Sequence, residues 1–309
     1  MRKIIVIITL FVLTATTAHS QYYMDYGVSV GASNYLGDIG GGDGIARPWL
    51  LDMKFIYSRW VAGGFFRYKF NSFVGAKASI NYVRLFGDDS YSINPGRRGR
   101  NLSFRNDMFE GEIHAEFYVY KANDVGGTGK YRTDFNLYLF GGAGMFYSNP
   151  QGELNDIWYD LQPLETEGVS YSKFNFSLPL GFGFYYTLHR KYRLGLEFGW
   201  KATFTDYIDD VSTEYVLHED PTTAALSDKS SIELTDQINS EYVGDLPTPS
   251  PTTYIPGRKR GDSSNDDSYM TATVNFSWVL RGKSKFYRSK NNWLFGKKKR
   301  KRRKSRAKF

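Results

Sequence analysis

The stretch KFNFSLPLGFGFYYTL, from Lys173 to Leu188, alternates large apolar side chains with polar or small ones. A period of two cannot place the apolar residues on one face of a helix, whereas successive side chains of a β-strand point to opposite faces. The stretch is also longer than an ordinary globular strand. One apolar face and one polar face at this length are typical of a strand that crosses a membrane in a β-barrel. The apolar face carries Phe174, Phe176, Leu178, Leu180, Phe182, Phe184, Tyr186 and Leu188.

Seven weaker copies of this pattern predict further strands at about 26–32, 61–70, 73–85, 108–120, 133–147, 192–204 and 269–280. The connections alternate between short ones, at 71–72, 123–130 and 189–191, and long ones, at 33–60, 87–107, 148–170 and 205–268. Outer-membrane barrels have short periplasmic turns, long external loops and an even strand number. The fold class is therefore expected to be all-β, a transmembrane antiparallel up-and-down barrel of about eight strands with both termini in the periplasm.

The N-terminus reads as a secretory signal peptide over residues 1–20. Arg2 and Lys3 precede an apolar run at 4–13, and Ala18 and Ser20 supply the small residues that a signal peptidase recognises. The chain has no cysteine, which excludes a lipid-anchored cysteine and disulfides. We expect export to the cell outer membrane, with a barrel over 21–280 and a basic periplasmic tail over 281–309.

The composition agrees with a membrane barrel. Aromatic residues make up 17% of the chain, yet the mean hydropathy is −0.46. A helical membrane protein would be far more apolar, whereas alternating strands average to a polar value.

The polar strand faces are expected to meet inside the barrel. Eight strands leave room only for side chains, so the charged residues must pair and plug the lumen. A proton or small-solute path is the alternative, and it would need a wider lumen. The predicted ion-pair plug consists of Arg67, Lys77, Glu110, Glu112, His114, Glu116, Arg193, Glu197 and Lys201.

No catalytic or cofactor site can be assembled from the sequence. His114 falls on an inward face, His189 in a turn and His218 in the longest loop, so no nucleophile, base and acid converge. We predict a non-enzymatic protein that needs no cofactor.

A run of carboxylates after the seventh predicted strand is a weak candidate for calcium. Asp206, Asp209 and Asp210 could supply oxygen ligands. Such a run more often caps a turn or pairs with a neighbouring loop.

Three loop features bear on external contacts. The segments 95–100 and 256–261 both read Pro-Gly followed by basic residues, and arginines there could clamp lipopolysaccharide phosphates or simply form solvated loop tips. The connection 205–268 is rich in Asp, Ser and Thr and contains a Pro-rich segment, 246–251, so much of it is expected to be mobile.

The charge is concentrated in the tail. The net charge is +8, and 15 of the 40 basic residues lie after Leu280, where the sequence has no acidic residue. Export excludes nucleic acid as a physiological partner, so the tail is expected to dock on acidic protein surfaces, headgroups or peptidoglycan in the periplasm. The predicted partner-binding residues are Lys297, Lys298, Lys299, Arg300, Lys301, Arg302 and Arg303.

Three short segments of the chain are GASNYLGDI at 31–39, FRYKF at 66–70 and DYIDDVS at 206–212. They resemble signatures of the PorG-like outer-membrane proteins of Bacteroidota, and the resemblance spans roughly 22–280. It implies a component of the type IX secretion system that contacts a periplasmic ring of PorK-like and PorN-like proteins. The long final loop and the basic tail depart from shorter relatives.

The leading hypothesis is thus a non-enzymatic outer-membrane barrel that anchors a secretion or gliding-motility assembly. One alternative is a stand-alone structural barrel of the OmpA or OmpX type, in contact with lipopolysaccharide outside and peptidoglycan inside. Another is a small-solute channel.

Overall fold

A computed structural model of the chain describes residues 24–40, 55–123, 133–189, 191–244, 246–250 and 252–280. The predicted signal peptide over 1–20 and the predicted periplasmic tail over 281–309, with its residues 297–303, lie outside the described residues. Their roles therefore stay predictions.

Eight long strands form a closed antiparallel barrel, which confirms the predicted all-β up-and-down barrel of about eight strands. Neighbours in sequence pair in turn, and β1 pairs with β10 to close the wall, with Val28 opposite Phe276. The wall consists of β1 (Met24–Leu36), β2 (Arg59–Lys69), β3 (Val74–Asp88), β4 (Ser103–Asn123), β5 (Thr133–Tyr147), β8 (Phe174–Leu188), β9 (Tyr192–Thr203) and β10 (Ser268–Leu280).

The outer face of the wall is an apolar belt. Large side chains that alternate along each strand are exposed, among them Ile80, Ile113 and Phe176, while their sequence neighbours are buried or half-buried. Soluble proteins rarely expose apolar patches of this extent. None of the described helices is both long and apolar enough to cross a membrane.

The two ends of the barrel differ. We call the end at which β2, β4 and β8 end the turn end, and the end at which β1, β3, β5 and β9 end the loop end. The predicted alternation of short and long connections is confirmed, because few residues separate successive wall strands at the turn end and many separate them at the loop end.

The long connections fold over the loop end, and we call the segments 37–40, 89–102, 148–173 and 204–267 together the loop cap. Asp220 caps α2 with Pro221 in its first turn, and Ser231 caps α3. The connection 205–268 is expected from the sequence to be largely mobile, whereas the structure folds most of it into capped helices, turns and bends. The cap contains α1 (Pro95–Arg100), α2 (Pro221–Ser227), α3 (Ile232–Glu241), the strands β6 (Pro150–Leu154) and β7 (Ile157–Asp160), and short 3-10 helices at Asp89–Tyr91 and Gln162–Leu164.

An apolar layer joins the cap to the barrel. Ile39, Ile208 and Val211 of the cap are buried against barrel residues such as Leu85 and Met108. Burial of this apolar surface offsets the entropy cost of ordering a polar loop, at roughly 25 cal/mol per Å². The composition of the loop alone could not indicate this, because the barrel supplies part of the apolar surface.

Candidate functional site

The structure places all nine residues of the predicted plug inside the barrel, each at most 7% exposed. They come from β2, β3, β4 and β9 and reach the interior because each occupies an inward position of the two-residue repeat. Their ion pairs form three groups along the lumen.

The group nearest the turn end is built around Arg67. Its Nε donates to Glu116 Oε1 at 2.7 Å, and its Nη1 lies 3.3 Å from Asp25 Oδ2. Asp25 also pairs with Arg193. The hydroxyl of Tyr118 donates to the second oxygen of Glu116. These contacts tie β1, β2, β4 and β9 together across the lumen.

The middle group pairs Lys77 with Glu197. Lys77 Nζ donates to both carboxylate oxygens, at 2.7 and 2.9 Å, and the Tyr138 hydroxyl donates to Glu197 Oε2 at 2.6 Å. These three hydrogen bonds to the Glu197 carboxylate offset the cost of burying its charge.

The group nearest the loop end contains Lys201, which pairs with Glu110 and lies 3.1 Å from Glu112 Oε2. Tyr269 donates to Glu110 Oε1 at 2.8 Å, and Ser79 donates to Glu112 Oε1 at 2.8 Å. The three groups together place paired, buried charges inside the barrel.

His114 lies among these pairs. Each of His114, Glu116 and Glu197 offers one potential metal-ligand atom, and these three atoms lie within 4.8 Å of one another. In the described part of the chain, neither ring nitrogen of His114 has a hydrogen-bond partner, and the ring stacks on Phe140 at 4.4 Å. Arg67 and Lys77 already neutralise the two carboxylates. We therefore interpret this trio as part of the ion-pair core, because a divalent ion would add charge to a balanced site.

Asp25 is the plug residue that the sequence interpretation missed. It is fully buried and accepts from Ser277 Oγ at 2.7 Å in addition to its two arginines. The predicted first strand began at Tyr26, two residues after the observed start of β1 and one residue after Asp25. The inward positions Gly27, Ser29 and Gly31 repeat every two residues, and one further step towards the N-terminus reaches Asp25.

Each of the two basic loop segments supplies one buried arginine, Arg100 or Arg260, that links parts of the cap. Arg100 donates to Asp89 Oδ2 at 2.8 Å and to the carbonyls of Asp38 and Arg260. Arg260 donates to Glu167 Oε1 at 2.9 Å and to the Asp210 carbonyl at 2.6 Å. The description of both segments as solvated tips or phosphate clamps is therefore wrong for Arg100 and Arg260, because these arginines are buried and donate hydrogen bonds to groups inside the cap.

Of the aspartates predicted as weak metal candidates, Asp206 and Asp209 lie near each other, whereas Asp210 has separate partners. Asp209 accepts from the backbone N–H groups of Ile39 and Val211, whereas Asp210 accepts from the hydroxyls of Thr166 and Tyr171. Backbone amides and hydroxyls therefore contact the Asp209 and Asp210 oxygens that could otherwise bind a cation. These are the contacts of carboxylates that order loops.

Burial shifts the titration of these carboxyls. It raises the pKa of Asp206 to about 8, with repulsion from Asp209 and Asp38 adding to the shift. It raises the pKa of Asp209 to about 7, together with repulsion from Asp38. It also raises the pKa of Asp210 to about 6, although Arg260 opposes the shift.

The described histidines do not converge. His218 Nε2 lies 2.8 Å from the Thr166 carbonyl in the cap, His189 is exposed in a turn at the opposite end, and His114 is in the lumen.

A closed eight-stranded barrel with an apolar belt outside and paired charges inside defines the class of membrane-spanning β-barrels. Within that class, the chain belongs to the family described as Domain of unknown function (DUF6089), which matches residues 2–219. No curated protein matches the chain.

Several solved structures are similar to this chain at low sequence identity. Ail, the attachment invasion locus protein of Yersinia pestis, is 10% identical with a TM-score of 0.33, and the match covers 84% of this chain and 99% of Ail. The outer membrane protein OprG from Pseudomonas aeruginosa is 8% identical with a TM-score of 0.34, covering 86% of this chain and all of OprG.

Proposed function

We propose that the chain is a non-enzymatic barrel of the outer membrane that anchors a type IX secretion or gliding assembly through contacts with a periplasmic ring. The ion pairs inside the barrel support the part of this proposal that excludes transport through the lumen. The choice of assembly rests on the sequence resemblance to PorG-like proteins. The turn end and the basic tail are the surfaces assigned to the ring, and a further partner is peptidoglycan.

A plugged lumen predicts that the purified barrel does not conduct. In planar bilayers we expect no discrete conductance steps from the full chain. Replacing Glu112 with alanine leaves the rest of the three ion-pair groups in place, so this variant is also expected to be silent. Conductance steps in the wild type that change in Arg67→Ala or Glu112→Ala would support the small-solute channel and contradict the plug.

The anchoring role predicts that a periplasmic ring lipoprotein co-purifies with the barrel from native membranes. The ring protein should be recovered with the full chain and lost, by at least tenfold, when residues 281–309 are removed. Neutralising Arg258 and Lys259, which are exposed at the loop end, provides a control that should retain the ring protein.

Recovery of the ring protein without residues 281–309 would contradict docking by the tail. No ring protein with either chain would contradict the anchoring role itself. That second outcome would favour a stand-alone structural barrel, for which a sealed lumen and a folded cap are equally suitable.

A further inference from the structure

Four carboxylates converge where the loop cap meets the barrel, and we call Asp38, Asp206, Asp209 and Asp267 the carboxylate cluster. Asp38 follows β1, Asp267 precedes β10, and the other two lie just after β9. Asp209 and Asp267 are fully buried or nearly so, Asp206 is 9% exposed and Asp38 is half-buried. The cluster therefore joins three strand ends that are far apart in the sequence.

Hydrogen bonds of the cluster hold the cap in place. Asp209 accepts from Ile39 N at 2.9 Å, which ties the segment after β9 to the segment after β1. Asp267 accepts from the Tyr35 hydroxyl at 2.5 Å and from Ile208 N at 2.9 Å. Asp38 accepts from Asp262 N. Separating the cap from the barrel would break these contacts.

Among the described residues, the cluster has little compensating positive charge. Arg97 and Arg100 are the described cations that act on Asp38, and both are engaged elsewhere, Arg97 with the Gly40 carbonyl and Arg100 with Asp89. Asp206 Oδ2 is buried without a hydrogen-bond partner among the described residues. The remaining charged or titratable groups that face the cluster are Tyr35, Asp262 and Asp266.

Four ionised carboxylates cannot be buried together at low cost, and the part of the chain that the structure describes offers too few cations to pair them. We propose that the carboxylate cluster is a proton-binding latch: it holds protons while the loop cap is closed and releases them when the cap opens. Asp206 Oδ2 is the position where a bound proton relieves an otherwise uncompensated charge. The latch makes closure of the cap depend on the pH outside the barrel.

The sign of this dependence follows from the direction of the shifts. Burial raises the pKa of Asp206, Asp209 and Asp267 above the ordinary value of an aspartate, so the closed cap binds more protons than the open cap. Stability of the closed cap is then fully present below the ordinary pKa and declines as the pH rises through the range up to about 8. Exposed aspartates paired with cations show the opposite trend.

Hydrogen exchange of the full chain folded in phosphatidylcholine vesicles tests the latch. The backbone N–H groups of Ile39, Ile208 and Val211 bond to the cluster, so their exchange rates divided by the intrinsic rates give the opening constant of the cap. We expect this constant to rise about tenfold per pH unit between pH 5.5 and 7 for each proton released. Amides in the middle of β3 should show no such rise.

In Asp206→Asn, the rise of the opening constant with pH should be smaller than in the wild type by about one factor of ten per pH unit, because the substitution removes one proton-binding group. Asp262→Asn is the matched control, because hydrogen bonds from Lys259, Asn265 and Ser264 lower the pKa of Asp262 to about 2 and it stays ionised throughout. The control should keep the wild-type slope.

Three results would overturn the latch. One is a wild-type opening constant that varies less than threefold from pH 5.5 to 8, which needs no variant to be folded. Another is an unchanged slope in Asp206→Asn. The third is strong suppression of opening by 1 mM CaCl₂ at pH 8 in the wild type and not in Asp206→Asn, which would make the cluster a cation site.

Discussion

Replacing Lys77 with methionine is expected to destabilise the barrel by about 3–5 kcal/mol, because it leaves the buried Glu197 carboxylate without its cation. Lys77 Nζ contacts both oxygens of Glu197, and the two side chains are buried between β3 and β9. Methionine keeps most of the volume of lysine and its packing near Phe65, so the loss isolates the charge. The free energy of unfolding can be measured by urea titration of the barrel in lipid vesicles, followed by tryptophan fluorescence.

Two further variants make this result specific. Lys77→Met/Glu197→Gln removes both charges and should recover most of the lost stability, since no buried charge is left unpaired. Lys259→Met removes a lysine that is 68% exposed and pairs with Asp262 in the loop cap, and it should cost no more than about 1 kcal/mol. Equal costs for Lys77→Met and Lys259→Met would show that water reaches the Lys77–Glu197 pair and would contradict a dry plug.

Replacing Ile80 with arginine is expected to destabilise the barrel in a bilayer by about 2–4 kcal/mol, as a charge near the midplane of a lipid-facing wall does. Ile80 lies at the middle of β3 and is 73% exposed on the apolar belt. In a soluble protein, a substitution at such an exposed position usually changes stability by no more than about 0.5 kcal/mol. The same urea titration in vesicles measures the difference.

Leu217→Arg is the matched control for the belt. Leu217 is 81% exposed, but it lies in the loop cap outside the strands. We expect its replacement to be close to neutral. A neutral Ile80→Arg in vesicles would contradict the assignment of the exposed apolar face to lipid.

The barrel wall and the lumen were predictable from local pattern. The alternation at 174–188 matches the observed β8 residue for residue, and the bounds of 133–147 match β5. Arg67, Glu116 and the other plug residues could be assigned to the interior because the parity of a strand fixes the face of every side chain. The odd or even position of a residue along its strand does not reveal its ion-pair partner. The Arg67–Glu116 and Lys77–Glu197 pairs could be identified only in the closed barrel, which brings β2 near β4 and β3 near β9.

The loop cap was not predictable from its composition. The segment 204–267 has the polar composition of a mobile loop, yet Ile208 and Val211 are fully buried against the barrel. Arg100 and Arg260 looked like surface residues because a sequence of Gly and Arg carries no sign of the carboxylates and carbonyls that meet it. These contacts join segments up to 160 positions apart.

The sequence by itself therefore determined the strands, their faces and the order in which the wall closes, because a period of two acts between neighbours along the chain. Only the tertiary structure decided which charges pair in the lumen and how the loop cap folds. It also decided that Asp38, Asp206, Asp209 and Asp267 share one buried site. The physical reason is that pairing and burial depend on distances across the barrel, which no local pattern encodes.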